Sequence, residues 1–511
     1  MGIARYSASF DTTITNAYRM NMTTRATGSN MGLADTLEVF SIYGQQASAS
    51  SELARILIQF PVSGSTGSIG ADRDAGRIPK SGSVSFFLRM YNAEHSFTVP
   101  KNFALNVSAL TKSWQEGYGL DMDEYTDLTY DNEGSNWVKA SEGQGDSTSW
   151  ESTGGDFESN TSCSFSASFE DGTEDIEVDI SPLVEQWLSS EGNVLTNKSN
   201  HGVIIMFPAA SEAATRSYYT KKFFARSSEF ALKRPVIEAR WDSSTRDDTG
   251  NFFLSSSLAT GTENLNTIYL YNNIRGRLRN IPVIGNGPIL VSIYSGSVHN
   301  VRPHTGSSYT LPVGGNVVTD GDFNVTGGIV STGIYSASFA YTGSATTIFP
   351  VWHNISLGQA IPGRVNFHTG SAITVKTFDS VNYNPHPSYV TKIVNLKDTY
   401  SIRDKTTRFK LYIREKDWNP NIYTKATSVT PSVVIEDAYY RLYRTTDEFE
   451  VVAYGTGSTN HTRLSYDASG SYFDFPMDIL ESGYMYAFKF IYKMPDGNYR
   501  EQPEVFKFRV D

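Results

Sequence analysis

The side chains able to do chemistry are few, and the densest group is acidic. Asp121, Asp123, Glu124, Asp127, Asp131 and Glu133 crowd one polar stretch. Several carboxylates on one loop suit calcium, a hard cation that takes about six to eight oxygen ligands. Asp121, Asp123, Asp127 and Asp131 are the calcium candidates. Their spacing is not that of an EF-hand and the glycine for its sharp turn is misplaced, so a solvated acidic loop is the competing reading. Trp114, Trp137 and Trp150 flank the same stretch. Their faces could stack on the apolar side of a pyranose ring, which would make a host surface polysaccharide a partner; alternatively they anchor the stretch onto a core.

Other chemistries lack a signature. The eight histidines are scattered; His299 and His304 are the closest pair, with Pro303 between them, and no convergent metal site is expected there. Cys163 is the only cysteine, so no intrachain disulfide can form, and its strand-like surroundings read as a small buried hydrophobe. No nucleophile elbow, P-loop or dinucleotide fingerprint is present. The carboxylate pair of a glycosidase is set by the fold, and no pair stands out. No catalytic residue and no cofactor other than calcium is therefore expected.

Composition points to an all-β protein. Aromatics are 13% of 511 residues, with 30 Tyr and 29 Phe, and Ser, Thr and Gly are abundant. That balance favours short strands joined by tight turns. The formal charge of −11 argues against a nucleic-acid binder, which needs a basic face. No apolar run reaches membrane-spanning length, and the first ten residues lack the apolar centre of a signal peptide. A protein made in the host cytoplasm that works outside it, as virion proteins do, fits both features.

The elements that must position these side chains read as follows. Residues 1–241 form a first sandwich. Period-2 alternation marks strands at 36–43, 53–60, 83–91, 164–169 and 176–180. Ser181 and Pro182 suit a helix start, with Leu183, Val184, Trp187 and Leu188 on one face. Val107, Leu110 and Trp114 suggest a brief helix. Residues 117–160 are long for a plain connection and form either an ordered excursion or a functional loop, pinned to the sandwich by Trp137 and Trp150. Residues 242–251 read as a linker, 252–379 as a second β-sandwich, 380–389 as a proline-stiffened connector, and 390–511 as an immunoglobulin-like sandwich with strands at 407–413, 432–436, 438–444, 449–454, 484–492 and 504–510. Strands at 267–271, 288–294, 333–341 and 372–378 build the second domain. A Tyr/His-Thr-Gly-Ser type turn recurs irregularly at strand ends.

The order of short motifs carries a resemblance. Asp11-Thr12-Thr13-Ile14, Gly28-Ser29-Asn30-Met31-Gly32, Arg55-Ile56-Leu57-Ile58-Gln59-Phe60, Trp114-Gln115-Glu116-Gly117, Phe224-Ala225-Arg226-Ser227-Ser228-Glu229 and Arg234-Pro235-Val236-Ile237 resemble a DNRLRE-type domain. The resemblance covers residues 11–241. It implies a jelly-roll β-sandwich of the kind appended to bacterial surface proteins and polysaccharide-active enzymes, and some members look like carbohydrate-binding modules. The arginine–glutamate signature is stretched here to Arg226–Glu229. The serine- and glycine-rich β domains that follow look like structural proteins of tailed bacteriophages. The resulting expectation is a non-enzymatic virion protein of the tail, neck or collar, docking onto other virion proteins as a homo-oligomer or symmetric array, with no nucleic-acid or membrane partner. A carbohydrate-binding surface protein is the alternative, and a polysaccharide-degrading enzyme a third.

Overall fold

The computed structural model describes residues 2–19, 21–43, 51–94, 100–120, 133–143, 146–189, 194–195, 199–215, 218–295, 315–317, 323–354, 365–377, 384, 386–416, 418, 421–422 and 432–511. The protein is all-β, a multidomain β-sandwich chain as its composition implies. It divides into two compact units. One is Met1–Asp242 with Gly455–His461 and Asp478–Gly483; the other is Ser243–Tyr454, Thr462–Met477 and Tyr484–Asp511. Among the described residues no helix is long and apolar enough to cross a membrane.

The first unit is built from thirteen strands: β1 (Ile3–Ser7), β2 (Phe10–Thr15), β3 (Thr36–Tyr43), β4 (Ser51–Gln59), β5 (Ser85–Met90), β6 (Phe103–Ala109), β7 (Lys139–Gly143), β8 (Asp146–Ser149), β9 (Ser164–Phe169), β10 (Ile176–Asp179), β11 (Val203–Met206), β12 (Tyr218–Phe224) and β13 (Val236–Arg240). One sheet runs β1-β13-β5-β10. The other runs β12-β3-β4-β11-β6-β9, with β2 added on β4. Alternate residues of both sheets meet in a shared core: Tyr6, Phe86, Leu88, Met90, Ile176 and Ile237 from the first, Val39, Ile56, Ile58, Leu105, Val107, Ile205 and Phe223 from the second. Pairing is antiparallel, with Ile237 opposite both Tyr6 and Leu88.

The larger sheet is buried on both faces. Leu57 of β4 and Ile204 of β11 point away from the shared core, into a second cluster with Ile14, Leu110, Trp137, Ala140 and Trp150. The period-2 set Ile56, Ile58 and Phe60 faces the shared core, and Leu57 between them serves the second face. The 133–160 part of the excursion, with its β7–β8 hairpin, supplies that outer cover.

Two expectations in this unit are corrected. Residues 107–114 are not helical: Phe103, Leu105, Val107 and Ala109 alternate into the core along β6, which pairs with β9 and β11. Ser181 does not cap the helix. It is the first residue of Ser181–Leu188, and the Asp179 carboxylate accepts its N–H at 2.9 Å and its hydroxyl at 2.5 Å. The Ser181 Oγ in turn accepts the Phe86 N–H at 2.7 Å, tying helix to β5. The expected inward face, Leu183, Val184 and Trp187, is buried.

In the second unit, one eight-stranded sheet orders Asn266–Tyr271, Ile334–Phe339, Phe323–Ser331, Ile289–Ser295, Thr347–His353 and Asn366–Thr369, with Gly315–Val317 and Ile373–Thr374 alongside. Within Phe323–Ser331, the part before Gly328 pairs with Ile289–Ser295 and the part from Gly328 onward with Ile334–Phe339. The glycine pair lets the strand change partners: a Cβ on Gly327 would lie 2.5 Å from the Ser336 carbonyl oxygen. The sheet closes over Ile268, Val291, Tyr335, Phe339 and Trp352. A four-stranded sheet (Tyr389–Ile393, Thr407–Glu415, Gly470–Phe475, Ser465–Asp467) and a six-stranded one that includes Ala438–Arg444, Met485–Lys493 and Phe506–Val510 follow. Their core is aromatic. Phe409 stacks on Phe473 at 5.1 Å, Tyr440 on Phe473 at 4.5 Å and Phe488 on Phe508 at 5.1 Å. Residues 432–436 are not a strand, and among the described residues 372–377 only Ile373–Thr374 is one. The 242–251 segment is not a bare tether: Arg246 bridges Tyr466, Ser465 Oγ accepts the Thr245 N–H, and Asp248–Gly250 is a 3-10 turn.

In the first unit, the outer face of the β1-β13-β5-β10 sheet carries one buried anion among three cations. Glu238, 1% exposed, accepts from Arg5 at 2.7 Å, Arg89 at 3.2 Å and Arg240 at 2.7 Å. Burial alone would raise its carboxyl, but the three guanidiniums outweigh it and hold the group well below the usual carboxylate range. A depressed native value means stability that is present above the unfolded value of 4.5 and lost as pH falls. Glu238→Gln should lower unfolding free energy by about 3–5 kcal/mol at neutral pH, because it strands buried guanidiniums. Urea titrations at stepped pH should show the gap between wild type and variant narrowing below about pH 4; a gap constant with pH would contradict this charge arrangement.

Candidate functional site

Four side chains far apart in sequence meet at one place in the first unit. Asp11 comes from β2, Asn30 from the Gly28–Gly32 turn region, Glu116 from the start of the excursion and Arg226 from the turn after β12. Arg226 grips Glu116 with two parallel bonds of 2.6 Å, Nε to Oε1 and Nη2 to Oε2. Glu116 Oε1 also accepts the Asp11 N–H at 2.8 Å. Asp11 Oδ2 accepts the Arg226 N–H at 2.6 Å, which closes the ring.

Asn30 completes the tie. It is 1% exposed. Its Nδ2 donates to the carbonyls of Glu116 (2.7 Å) and Ser135 (2.9 Å), and its Oδ1 accepts from Gly32 (3.2 Å) and Gly119 (2.9 Å). One amide thus satisfies four backbone groups, three of them on segments distant in sequence. The approach is close enough to demand glycine: a Cβ on Gly119 would sit 1.8 Å from the Asn30 carbonyl oxygen, and one on Gly134 2.5 Å from Asn30 Nδ2.

Electrostatically the ring holds two carboxylates against one guanidinium. Burial pushes the Asp11 carboxyl up to about 7, and the neighbouring Glu116 charge adds to this, while the Arg226 N–H and guanidinium pull it down. The Arg226 guanidinium, bonded to Glu116, is raised in turn. Chemically the assembly is a fastener. Both Glu116 oxygens are spent on chain groups, and the strongest bonds join the excursion to the sandwich.

The three tryptophans do come together, but as packing and not as an open platform. Trp137 and Trp150 are 7% and 6% exposed within the cluster under the excursion, and half-buried Trp114 packs against it. Trp150 Nε1 donates to the Asn136 carbonyl and Trp114 Nε1 to the His201 carbonyl. The Arg55 guanidinium lies over the Trp137 ring at 5.2 Å. A cavity beside them, lined by Leu110, Glu158, Leu195 and His201, measures about 100 Å³, well below the roughly 300 Å³ at which ligand pockets begin. Stacking on a sugar needs an accessible ring face; Trp137 and Trp150 are buried, and the Arg55 guanidinium covers a face of Trp137.

Of the calcium candidates, Asp121, Asp123, Asp127 and Asp131 lie outside the described residues, as do Glu124, His299 and His304; Glu133 is described and half-buried. Among the described residues no group of three or more His, Cys, Asp or Glu side chains is arranged to hold a metal. Cys163 is buried in the shared core, with Sγ 3.6 Å from Gln186 Oε1. The sequence offered no warning of Lys221, fully buried, whose ammonium donates to Asn92 Oδ1 (2.6 Å) and the carbonyls of Gly172 (2.8 Å) and Glu174 (2.7 Å). Burial pushes it down to about 8, and with three acceptors its donors are fully used.

No family model matches the chain, and no curated protein sequence matches it. Among solved structures, the Yersinia pseudotuberculosis adhesin InvE is 13% identical with a TM-score of 0.15, over 50% of this chain and 61% of that one. A Ca2+-stabilised adhesin with which an Antarctic bacterium binds ice is 9% identical with a TM-score of 0.13, over 82% and 92%. The chain therefore spans under two thirds of the first of these proteins, and at such scores neither likeness bears on fold or function.

The Asn30 tie is open to direct test. Asn30→Ala leaves buried backbone groups without partners and should cost about 2–4 kcal/mol. Hydrogen exchange should show amides of 133–143 losing protection while β4 and β11 keep theirs. Equal protection in both proteins would mean that Asn30 does not hold the excursion.

Proposed function

We propose that the chain is a non-enzymatic structural protein of a tailed-phage virion, a tail, neck or collar accessory that docks onto other virion proteins, working as a homo-oligomer or in a symmetric array. The supporting observation is a set of large apolar side chains left in solvent on backbone that the Arg226–Glu116–Asn30 assembly fixes. Phe10 is 47% exposed, Leu33 42%, Tyr118 66% and Leu120 50%. Phe10 adjoins Asp11, and Tyr118 and Leu120 flank Gly119, whose N–H bonds Asn30 and whose carbonyl accepts the Leu33 N–H at 3.1 Å. Aromatic and aliphatic groups on pre-ordered backbone suit protein docking, because little conformational entropy is lost on contact. The phage assignment itself draws on the resemblance in composition and turn chemistry, and the DNRLRE-like motif order is compatible with an appended jelly roll.

Quantitative mass spectrometry of purified virions tests this. The chain should be present at a fixed symmetric stoichiometry. Tyr118→Asp, at an exposed site, should leave thermal unfolding unchanged and deplete the protein from particles. Recovery from secreted or cell-envelope fractions, with none in particles, would overturn the virion reading in favour of a surface carbohydrate-binding protein.

A further inference from the structure

The second unit holds a cleft of about 610 Å³, inside the range of small-molecule pockets. Its walls are set by short polar ties. The Asp248 carboxylate accepts the Thr267 N–H at 2.6 Å and the Tyr466 hydroxyl at 2.7 Å. Asn266 clasps Phe253 through both backbone groups, at 2.8 Å and 2.9 Å. Glu263 is held by the Thr260 N–H and hydroxyl. Two guanidinium–carboxylate pairs use neighbouring residues of the chain: Arg246 with Glu436 at 3.1 Å, and Arg463 with Asp437. The Phe253 ring is 38% exposed on the same lining.

We propose that this cleft binds a saccharide unit, a site separate from the tryptophans and independent of the docking role above. The lining argues by elimination and by fit. Four carboxylates (Asp248, Glu263, Glu436, Asp437) against two guanidiniums, both already paired, disfavour phosphate and other anions. A divalent cation has no set of three ligating side chains among the described residues. An apolar ligand would leave this polar wall unsatisfied. Hydroxyl groups, by contrast, donate and accept at once, and the guanidinium–carboxylate pairs offer donors and acceptors side by side. Phe253, 38% exposed with the Lys376 ammonium 5.9 Å from its ring centroid, adds apolar surface for the C–H face of a pyranose. The four carboxylates are already engaged by chain donors, which disfavours a lysine-bearing peptide. The walls are fixed before any ligand arrives, so binding loses little to ordering.

The full chain is titrated with neutral oligosaccharides (maltotriose, cellotriose, chitotriose) and with an oligolysine peptide, by calorimetry and ligand-observed NMR. At least one sugar should bind at about millimolar strength or better, and Phe253→Ala and Glu436→Gln should each weaken it roughly tenfold with unchanged thermal unfolding. Trp114→Ala should leave it unaltered. Binding of oligolysine alone, sugar binding indifferent to the two cleft variants, or no sugar binding at all would overturn the proposal.

Discussion

The bidentate contact between Arg226 and Glu116 is the constraint on which the first unit depends. It joins the turn after the edge strand β12 to the root of the excursion, and the excursion covers the outer face of the larger sheet. Without that cover, Leu57, Ile204 and Leu110 would face water. Polar geometry and apolar burial therefore support each other. The guanidinium and Asn30 bring the chain back to the sandwich, and the tryptophans seal what is brought back. A guanidinium is suited to the task because its planar fork meets both carboxylate oxygens at once.

The same economy recurs elsewhere in the molecule. Glu238 gathers Arg5, Arg89 and Arg240 on the outside of the smaller sheet. Lys221 is enclosed by an amide and two carbonyls. In each case a buried charge is fully coordinated by the protein's own groups, the condition under which burial of charge is tolerated. These clusters consolidate the scaffold, while Phe10, Leu33, Tyr118 and Leu120 remain in solvent.

Much of the fold was legible because alternation is a strong signal. Residues 36–43 and 164–169 are strands with the expected ends, and Leu183, Val184 and Trp187 share the expected helix face. The failures have physical causes. Val107, Leu110 and Trp114 mimic helical spacing, but the core beneath β6 selects the period-2 set that starts at Phe103. Strand β1 carries Ala4 and Arg5 between Ile3 and Tyr6, too little apolar pattern to announce itself, and forms because β13 offers it an edge. The partner change at Gly327 and Gly328 needs the third dimension. The site was half legible: Asp11, Asn30, Glu116 and Arg226 stood inside motifs whose order could be read, yet contacts spanning such sequence distances leave no local spacing to detect. The tryptophans were read as either anchors or platform; Trp137 and Trp150 are buried in the cluster under the excursion and Trp114 is half-buried against it.

The most direct test of this account is a double-mutant cycle on the fastener. Unfolding free energies would be measured for wild type, Arg226→Ala, Glu116→Ala and the double variant. If the pair ties the excursion to the sandwich, the single losses overlap, and the coupling energy should reach about 2 kcal/mol or more. Losses that simply add, within about 0.5 kcal/mol, would contradict it and make the contact incidental to the fold.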